Sequence, residues 1–292
     1  MNSFSLNYSN FKSNFPSCRP SCSAAKTALL ALLILALASC SGGGDSDSSD
    51  GGGGSDGGGP STDACGDLGL KIIDGTTCSS GSSSVVNLTI FQIDGSAASC
   101  TGTVIDSAHV LTAGHCFFAG GAFTSQIDVE FGSTKVVTSS FRVHPSYSED
   151  NQNQAVFNDV AVITVNVPAG FAPIPLLLSR APQIGDIFDI FGYGFDENGN
   201  IGELKSGQME IDQVTSNHIF SEFDGQGSNT CQGDSGGPAI YVLNGSPAII
   251  GITSSGTASA ACQVGDLSLF ANVQDSSILD FITSQAPGTG AI

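Results

Sequence analysis

A serine flanked by glycines near the carboxyl-terminal end of the chain is the residue best suited to act as a nucleophile. Residues 231–238 read Cys-Gln-Gly-Asp-Ser-Gly-Gly-Pro, and the serine is Ser235. A serine hydroxyl attacks a carbonyl carbon only if a base takes its proton and donors stabilise the oxyanion that forms. Glycines allow backbone conformations that turn an N–H group towards such an oxyanion. The segment therefore predicts acyl-transfer chemistry and requires a base elsewhere in the chain.

His115 is the candidate for that base. It stands in Thr-Ala-Gly-His-Cys at 112–116, where small residues and a cysteine are typical of a braced turn. A catalytic histidine needs a carboxylate on its second ring nitrogen, and Asp159 is preferred because it opens an apolar run in which an unpaired carboxylate would be costly to bury. Asp128 and Asp150, both in polar sequence, remain as competitors. The other histidines lack such a context and are predicted to be structural or at the surface: His109, His144 and His218.

These segments resemble those of the trypsin-like serine peptidases of the chymotrypsin fold. Further segments similar to family landmarks are Arg-Val-His-Pro-Ser-Tyr at 142–147 and Phe-Gly-Tyr-Gly at 191–194, so the resemblance covers residues 72–283. It implies an all-β fold of two six-stranded antiparallel β-barrels with a short carboxyl-terminal helix. It also implies a triad of Ser235, His115 and Asp159, an oxyanion hole formed by the N–H groups of Gly233 and Ser235, and no cofactor.

The hydrophobic pattern agrees with an all-β fold but specifies less. From residue 85 onward, short β-rich runs are separated by Gly, Ser, Asn and Asp, which is typical of a β-barrel or β-sandwich. Only one helix is predicted, over 276–283. The strands are predicted at 85–93, 103–105, 129–131, 136–143, 160–167, 187–191, 249–253 and 267–273.

The primary specificity pocket is where the sequence departs from trypsin. The resemblance assigns Asn229, six residues before the nucleophile, to the pocket floor, where an aspartate would select Lys or Arg. It assigns Ser254 to the substrate-pairing strand, Gly256 to the pocket mouth and Ser268 to the wall. An uncharged, moderately polar pocket predicts apolar or polar uncharged residues at P1, the substrate position before the cleaved bond.

An activation junction is predicted between Lys71 and Ile72. Lys71 is followed by Ile-Ile-Asp-Gly, which is similar to the family's activation site. The resemblance implies that cleavage frees the amino group of Ile72, which pairs with Asp234 and shapes the oxyanion hole. Because the pocket floor is uncharged, a separate trypsin-like protease is expected to make the cut. The alternative is that Lys71 is a surface lysine ahead of the first strand.

Six cysteines remain after the leader and the lipidation candidate described below are set aside. An even number in an exported chain favours disulfides over a metal site, and no Cys-x-x-Cys or histidine pair offers zinc ligands. The resemblance implies two disulfide bonds, Cys100–Cys116 and Cys231–Cys262. By elimination the third is Cys65–Cys78, which would span the predicted cleavage site after Lys71.

The amino-terminal part of the chain is predicted to direct export. Residues 1–39 have three basic residues, no acidic residue and an apolar run over 28–38, about half the roughly 20 residues that a spanning helix needs. Leu-Ala-Ser-Cys at 37–40 resembles a bacterial lipobox and predicts lipid attachment at Cys40, with an ordinary signal-peptidase site as the alternative. Residues 40–64 form a Gly/Ser/Asp-rich tether, 65–71 a short activation segment and 72–292 the peptidase domain.

The charge of the exported chain argues against nucleic-acid binding. Residues 1–39 contain three of the eight basic residues and none of the 27 acidic ones, so the remainder has a formal charge of −22, and phosphate contacts need Lys and Arg. The sequence predicts a monomeric serine endopeptidase that acts on proteins or peptides, anchored by lipid to the cell envelope or secreted if not lipidated. Two alternatives are a catalytically silent surface binding module, disfavoured by the intact triad candidates, and an esterase, disfavoured by the lack of alternating helices.

Overall fold

The described part of the chain contains two curled antiparallel β-sheets, a separate two-stranded sheet formed by residues 148–150 and 155–157, a short 3-10 helix at His115–Phe117 and one carboxyl-terminal α-helix. The computed structural model describes residues 76–77, 80–118, 123–150, 155–196, 198–225, 227–256 and 262–292. The predicted leader, tether and activation segment lie outside the described residues, as do Cys40, Cys65, Lys71, Ile72 and Cys78. Within the described ranges, no helix is long and apolar enough to cross a bilayer.

Within the described ranges, the seventeen strands are named β1 to β17 and the one α-helix is named α1, in chain order. Their bounds are β1 Thr76–Thr77, β2 Val85–Gln92, β3 Ala97–Asp106, β4 His109–Thr112, β5 Thr124–Phe131, β6 Thr134–Thr138, β7 Phe141–Val143, β8 Ser148–Asp150, β9 Ala155–Phe157, β10 Ala161–Thr164, β11 Ile187–Gly192, β12 Lys205–Glu210, β13 Gln213–Val214, β14 His218–Glu222, β15 Pro238–Leu243, β16 Ser246–Gly256, β17 Leu267–Asn272 and α1 Ser276–Gln285.

The first sheet carries the histidine and aspartate candidates. Its strand order is β6-β5-β2-β3-β4-β10-β7, with all neighbours antiparallel. Alternation along β2 shows why this segment is a strand, since Val86, Leu88 and Ile90 are buried while the residues between them are partly exposed. His115 follows β4 and Asp159 precedes β10, so the pairing of β4 with β10 brings the two residues to one edge.

The second sheet carries the serine loop and the predicted pocket. Its order is β1-β12-β11-β15-β16-β17-β14-β13, and the loop with Ser235 directly precedes β15. The all-β class and the short helix are confirmed. The sheets hold seven and eight strands rather than six each, because short segments at their edges also pair: β7 in the first sheet, β1 and β13 in the second.

Helix α1 lies behind the strand that begins after Asp159. Its first turn is capped by the Asp275 carboxylate, which accepts hydrogen bonds from the backbone nitrogens of Ser277 and Ile278. The buried side chains Ile278, Phe281 and Ile282 lie at helical spacing and join the core that includes β10. The helix therefore stabilises the strand on which the aspartate depends.

Candidate active site

Asp159 and His115 form the best-defined polar contact of the site. The Nδ1 atom of His115 donates to Asp159 Oδ2 at 2.7 Å, and its backbone nitrogen donates to Asp159 Oδ1 at 2.7 Å. The hydroxyl of Ser254 donates to Asp159 Oδ2 at 2.6 Å. The aspartate is 0% exposed, and these three donors satisfy a carboxylate that burial would otherwise penalise.

Asp159 and His115 stabilise each other's charged forms. Burial raises the pKa of Asp159, but the charge and hydrogen bonds of His115, with the hydroxyl of Ser254, outweigh burial and lower this pKa overall. Burial lowers the pKa of His115, but the charge and hydrogen bond of Asp159 outweigh it and raise this pKa above its ordinary value of 6.5. The imidazole is thus suited to take up a proton during a reaction.

The segment before Asp159 is held by an amide pair that the sequence did not reveal. Asn158 has a left-handed backbone with φ of 50°, which asparagine tolerates better than most residues. Its backbone nitrogen donates to Asn217 Oδ1 at 3.0 Å, and Asn217 Nδ2 donates back to Asn158 Oδ1 at 3.2 Å. The β13–β14 turn of the second sheet thereby fixes the residue next to the aspartate.

The competing carboxylates and the other histidines have partners of their own. Asp128 forms an ion pair with Lys135 at 2.8 Å, and Asp150 ends β8 where that strand pairs with β9. Among the histidines, His109 lies 2.8 Å from Asp106, while the other two are buried and contact backbone carbonyl oxygens: His144 that of Ser277 and His218 that of Val156.

Ser235 lies beside the histidine turn through contacts of its backbone. Its carbonyl oxygen accepts from the backbone nitrogen of Thr101 at 2.8 Å and lies 3.9 Å from the Sγ atom of Cys116, the neighbour of His115. Among the hydrogen bonds of the described residues, none joins the Ser235 hydroxyl to His115, and such contacts are often long before substrate binds. The loop position therefore places the serine at the histidine turn without a direct bond.

The predicted disulfides Cys100–Cys116 and Cys231–Cys262 are both present. The sulfur atoms of the first bond lie with a ring nitrogen of His115 in a cluster in which all three atoms are within 4.8 Å. Because both sulfur atoms are joined to each other, neither is available as a thiolate for a metal ion. The bond braces the turn on which the histidine sits.

Gly233 and Ser235 provide two of the serine-loop backbone N–H groups that have no acceptor among the described residues. Those of Asp234, Gly236 and Gly237 donate to carbonyl oxygens at 3.1, 2.7 and 2.8 Å, whereas those of Gly233 and Ser235 have no acceptor among the described residues. Gly233 has φ of +99°, and a Cβ atom there would lie 2.7 Å from the Cα atom of Gly194, so no other residue fits. The free pair of amides can bind an anionic oxygen.

Asp234 is a buried carboxylate that forms no ion pair with a basic side chain of the described residues, although the charge of Lys205 acts on it. Its Oδ1 atom accepts from the backbone nitrogen of Gly194 and its Oδ2 atom from that of Cys231, each at 2.8 Å. Burial outweighs the two hydrogen bonds and the charge of Lys205 and raises the pKa of Asp234 to about 7. The charged form of this carboxylate is therefore incompletely stabilised, and a further positive partner would stabilise it.

Two of the predicted pocket residues, Asn229 and Ser268, belong to one polar network, while Ser254 binds Asp159. Ser268 pairs with Gly256 in adjacent strands, two residues from Ser254. The Ser268 hydroxyl donates to Asn229 Oδ1 at 3.1 Å and lies 2.7 Å from the hydroxyl of Thr230, a residue that the sequence analysis did not single out. Asn229 is 1% exposed, and its Nδ2 atom has no partner within the described part of the chain.

Comparisons with known proteins find related sequences and a similar fold. The sequence model of the family described as Trypsin matches residues 72–282. The chain is 31% identical to "Brachyurin" of Leptuca pugilator over 64% of this chain and 87% of that protein, and 29% identical to "Trypsin beta" of Drosophila erecta over 49% and 64%. The solved structure of HL collagenase is similar in fold, with a TM-score of 0.60, 22% identity and coverage of 74% of this chain and 99% of that one.

Proposed function

Because the chain belongs to the trypsin family of serine peptidases, we propose that it is an endopeptidase that cleaves peptide bonds by acyl transfer through Ser235. The contact between His115 and Asp159, with 2.7 Å bonds to both carboxylate oxygens, is the observation that carries this proposal. It orients an imidazole as a base beside a loop that has a serine and two free amides.

The reaction follows from the roles of these groups. The Nε2 atom of His115 takes the proton of the Ser235 hydroxyl as Oγ attacks the scissile carbonyl carbon, and the N–H groups of Gly233 and Ser235 bind the oxyanion. Asp159 stabilises the imidazolium, which then gives its proton to the leaving amine as the C–N bond breaks. Water, activated by the same histidine, releases the acyl group and restores the serine.

We propose that the enzyme does not prefer basic P1 residues. The residue at the predicted pocket floor is Asn229, whose amide accepts from Ser268 and provides no negative charge for Lys or Arg. A neutral floor lined by the hydroxyls of Thr230 and Ser268 suits apolar or polar uncharged side chains. This specificity rests on the family's placement of the pocket.

We also propose activation by cleavage after Lys71. The buried carboxylate of Asp234, which lacks a described cationic partner and has a raised pKa, is suited to receive the amino group of Ile72. A basic residue at the cut and an uncharged pocket point to a separate trypsin-like activator. Export of a monomer, with lipid on Cys40, remains the proposal from the sequence.

A fluorophosphonate probe, which reacts with activated serines, tests this function. The chain is labelled before and after limited cleavage at Lys71, with Ser235→Ala as the control for the labelled residue. We expect labelling after cleavage only, and only when Ser235 is present. A folded wild-type chain that is unlabelled in both states would instead favour a binding module with the peptidase fold.

A further inference from the structure

The loop with the free amides rests on a neighbouring segment, Gly194 to Asp196. The backbone nitrogen of Gly194 donates to Asp234, and that of Phe195 donates to the carbonyl oxygen of Gln232 at 3.0 Å. A Cβ atom on Gly233 would lie only 2.7 Å from the Cα atom of Gly194, so the two residues are in close backbone contact. Three successive residues of the loop therefore take their position from segment 194–196.

Asp196, at the end of this segment, forms an ion pair with a buried lysine. The Nζ atom of Lys205 lies 2.8 Å from Asp196 Oδ2, and the lysine is only 1% exposed. Asp196 Oδ1 accepts from the backbone nitrogens of Asn198 and Asn200 at 2.9 and 2.7 Å. Lys205, more than any other group, lowers the pKa of Asp196, so the carboxylate is charged.

Lys205 also lies next to the residues around Asp234. It is paired with Gly192 across β11 and β12, and a Cβ atom on Gly192 would collide with the Asp234 carboxylate. On its other side it pairs with Thr77 of β1, a few residues after Ile72. Apart from the ion pair, the Lys205 ammonium has no hydrogen-bond partner within the described ranges.

Net stability does not explain this pair well. A buried ion pair adds little to the free energy of unfolding, because removing both charges from water costs about as much as their attraction returns. A buried ion pair is better explained by its effect on conformation, because it favours one arrangement of the chain over others. Here the arrangement selected is the return of the chain from Asp196 to Lys205, which sets segment 194–196 against the serine loop.

We propose that the Lys205–Asp196 ion pair positions the oxyanion hole by fixing segment 194–196, on which Gln232, Gly233 and Asp234 rest. Lys205 and Asp196 are positioning residues and touch no reacting atom. This inference rests on the proposed peptidase function, because it assigns the pair a role in the rate of acyl transfer. Loss of the pair should lower kcat through misplaced amides and leave P1 binding unchanged.

The test compares Lys205→Met with Arg180→Met. Arg180 forms an ion pair of the same length, 2.8 Å, with Asp186, its guanidinium lies over the ring of Tyr241, and its carbonyl oxygen accepts from Gln274, so none of these contacts is with the serine loop. The full chain is used in whichever state, cut or uncut, the wild type reacts faster with the fluorophosphonate. The measurements are kcat and KM on a peptide amide, the labelling rate of Ser235 and the melting temperature.

We expect Lys205→Met to lower kcat and the labelling rate about 10- to 100-fold, with KM changed by less than about threefold. Arg180→Met should leave kcat unchanged. The double variant Lys205→Met/Asp196→Asn, which leaves no unpaired charge, should recover the melting temperature but not kcat, and it serves if the single variant fails to fold. Lys205→Arg should restore most of the rate.

Wild-type kcat and labelling rate in Lys205→Met or in the double variant would overturn the positioning role and leave the peptidase function intact. An equal loss of kcat in Arg180→Met would also overturn it, since the effect would then be one of general stability. A folded wild-type chain that never labels at Ser235 would overturn the proposed function and this inference together.

Discussion

Both carboxylate oxygens of Asp159 bind one residue, His115: Oδ1 accepts from its backbone nitrogen and Oδ2 from Nδ1, each at 2.7 Å. A single bond to the ring would leave the carboxylate free to swing with the side chain. The second bond ties it to the main chain of the same residue, so the ring is held with Nε2 as its unbound nitrogen. Because Asp159 is buried, water does not compete for either contact.

Replacement of Asp159 by asparagine should remove this orientation. We expect Asp159→Asn to lower kcat by about four orders of magnitude, since the amide can stabilise the wrong tautomer of His115. Asp106→Asn is the matched control, because Asp106 makes a 2.8 Å contact with His109 outside the site. Steady-state kinetics on a peptide amide measure the effect. Near-wild-type kcat in Asp159→Asn would contradict the assigned pair.

The raised pKa of His115 predicts the acid side of the pH profile. The base must be neutral to accept the serine proton, so activity falls as pH drops through the pKa of His115. Because Asp159 raises that pKa, half-maximal kcat/KM should occur above pH 6.5. A pH–rate profile between pH 5 and 9 on an uncharged substrate measures it. An acid limb well below 6.5 would show that another group controls the rate.

Asn229→Asp should introduce a preference for basic P1 residues. A carboxylate at the same position adds the charge that Lys and Arg require, and we expect the Lys-to-Leu ratio of kcat/KM to rise at least about tenfold. Asn244→Asp adds an equal charge at an exposed turn and should leave the ratio unchanged. Matched peptides that differ only at P1 provide the measurement. Efficient cleavage after Arg by the wild type would refute the neutral pocket.

Asp234 should make the uncut chain less stable as pH rises. With a pKa of about 7 in the folded chain against 3.8 as the ordinary value, the folded state binds more protons than the unfolded state between roughly pH 4 and 7. The free energy of unfolding therefore falls across that window. Urea unfolding of Lys71→Ala, with and without Asp234→Asn, measures it. Parallel curves for the two chains would mean that Asp234 is not the group responsible.

Thr101 should stabilise the serine loop through its hydroxyl. Its Oγ1 atom donates to the carbonyl oxygen of Gly233 at 2.9 Å and accepts from the backbone nitrogen of Tyr193 at 3.0 Å. Thr101→Val removes both of these buried hydrogen bonds, at a cost of about 2–4 kcal/mol. Thr103→Val is the matched control, since that buried hydroxyl has no partner among the described residues. Equal unfolding free energies for the two variants would contradict the role of Thr101.

Local sequence predicted the catalytic residues better than it predicted the strands and side chains that position them. The residues around His115 and Ser235 indicate their roles, and β-rich runs between turn residues located β2 and β17. The strand predicted over 136–143 is two, β6 and β7, because the chain leaves β5 and pairs next with β10. Strand β12, Lys-Ser-Gly-Gln-Met-Glu, is too polar to be recognised from its sequence, and the ion pair that accompanies the burial of Lys205 is formed with Asp196, nine residues earlier in the chain.

The sequence did not predict three supporting residues, for a related physical reason: Thr101, Asn217 and Thr230. Each acts through residues that are close in space, and in most cases distant in sequence, so no spacing rule marks it. The strand count was likewise set by edge pairing, which depends on how each sheet curls. Sequence patterns encode faces and turns, whereas these contacts exist only once the two sheets are in place.

The Cys100–Cys116 bond links two parts of the site. Cys100 precedes Thr101, whose backbone nitrogen binds the carbonyl oxygen of Ser235, and Cys116 follows His115. Thiols stay reduced inside cells, so in a chain that is exported as proposed this bond would form only after the chain leaves the cytoplasm. The reducing conditions of the cytoplasm would thus keep the chain inactive by a mechanism that is separate from any cut at Lys71. The cell that makes the enzyme would be protected from it, and the rate of labelling across a series of thiol–disulfide buffers would show whether this mechanism operates.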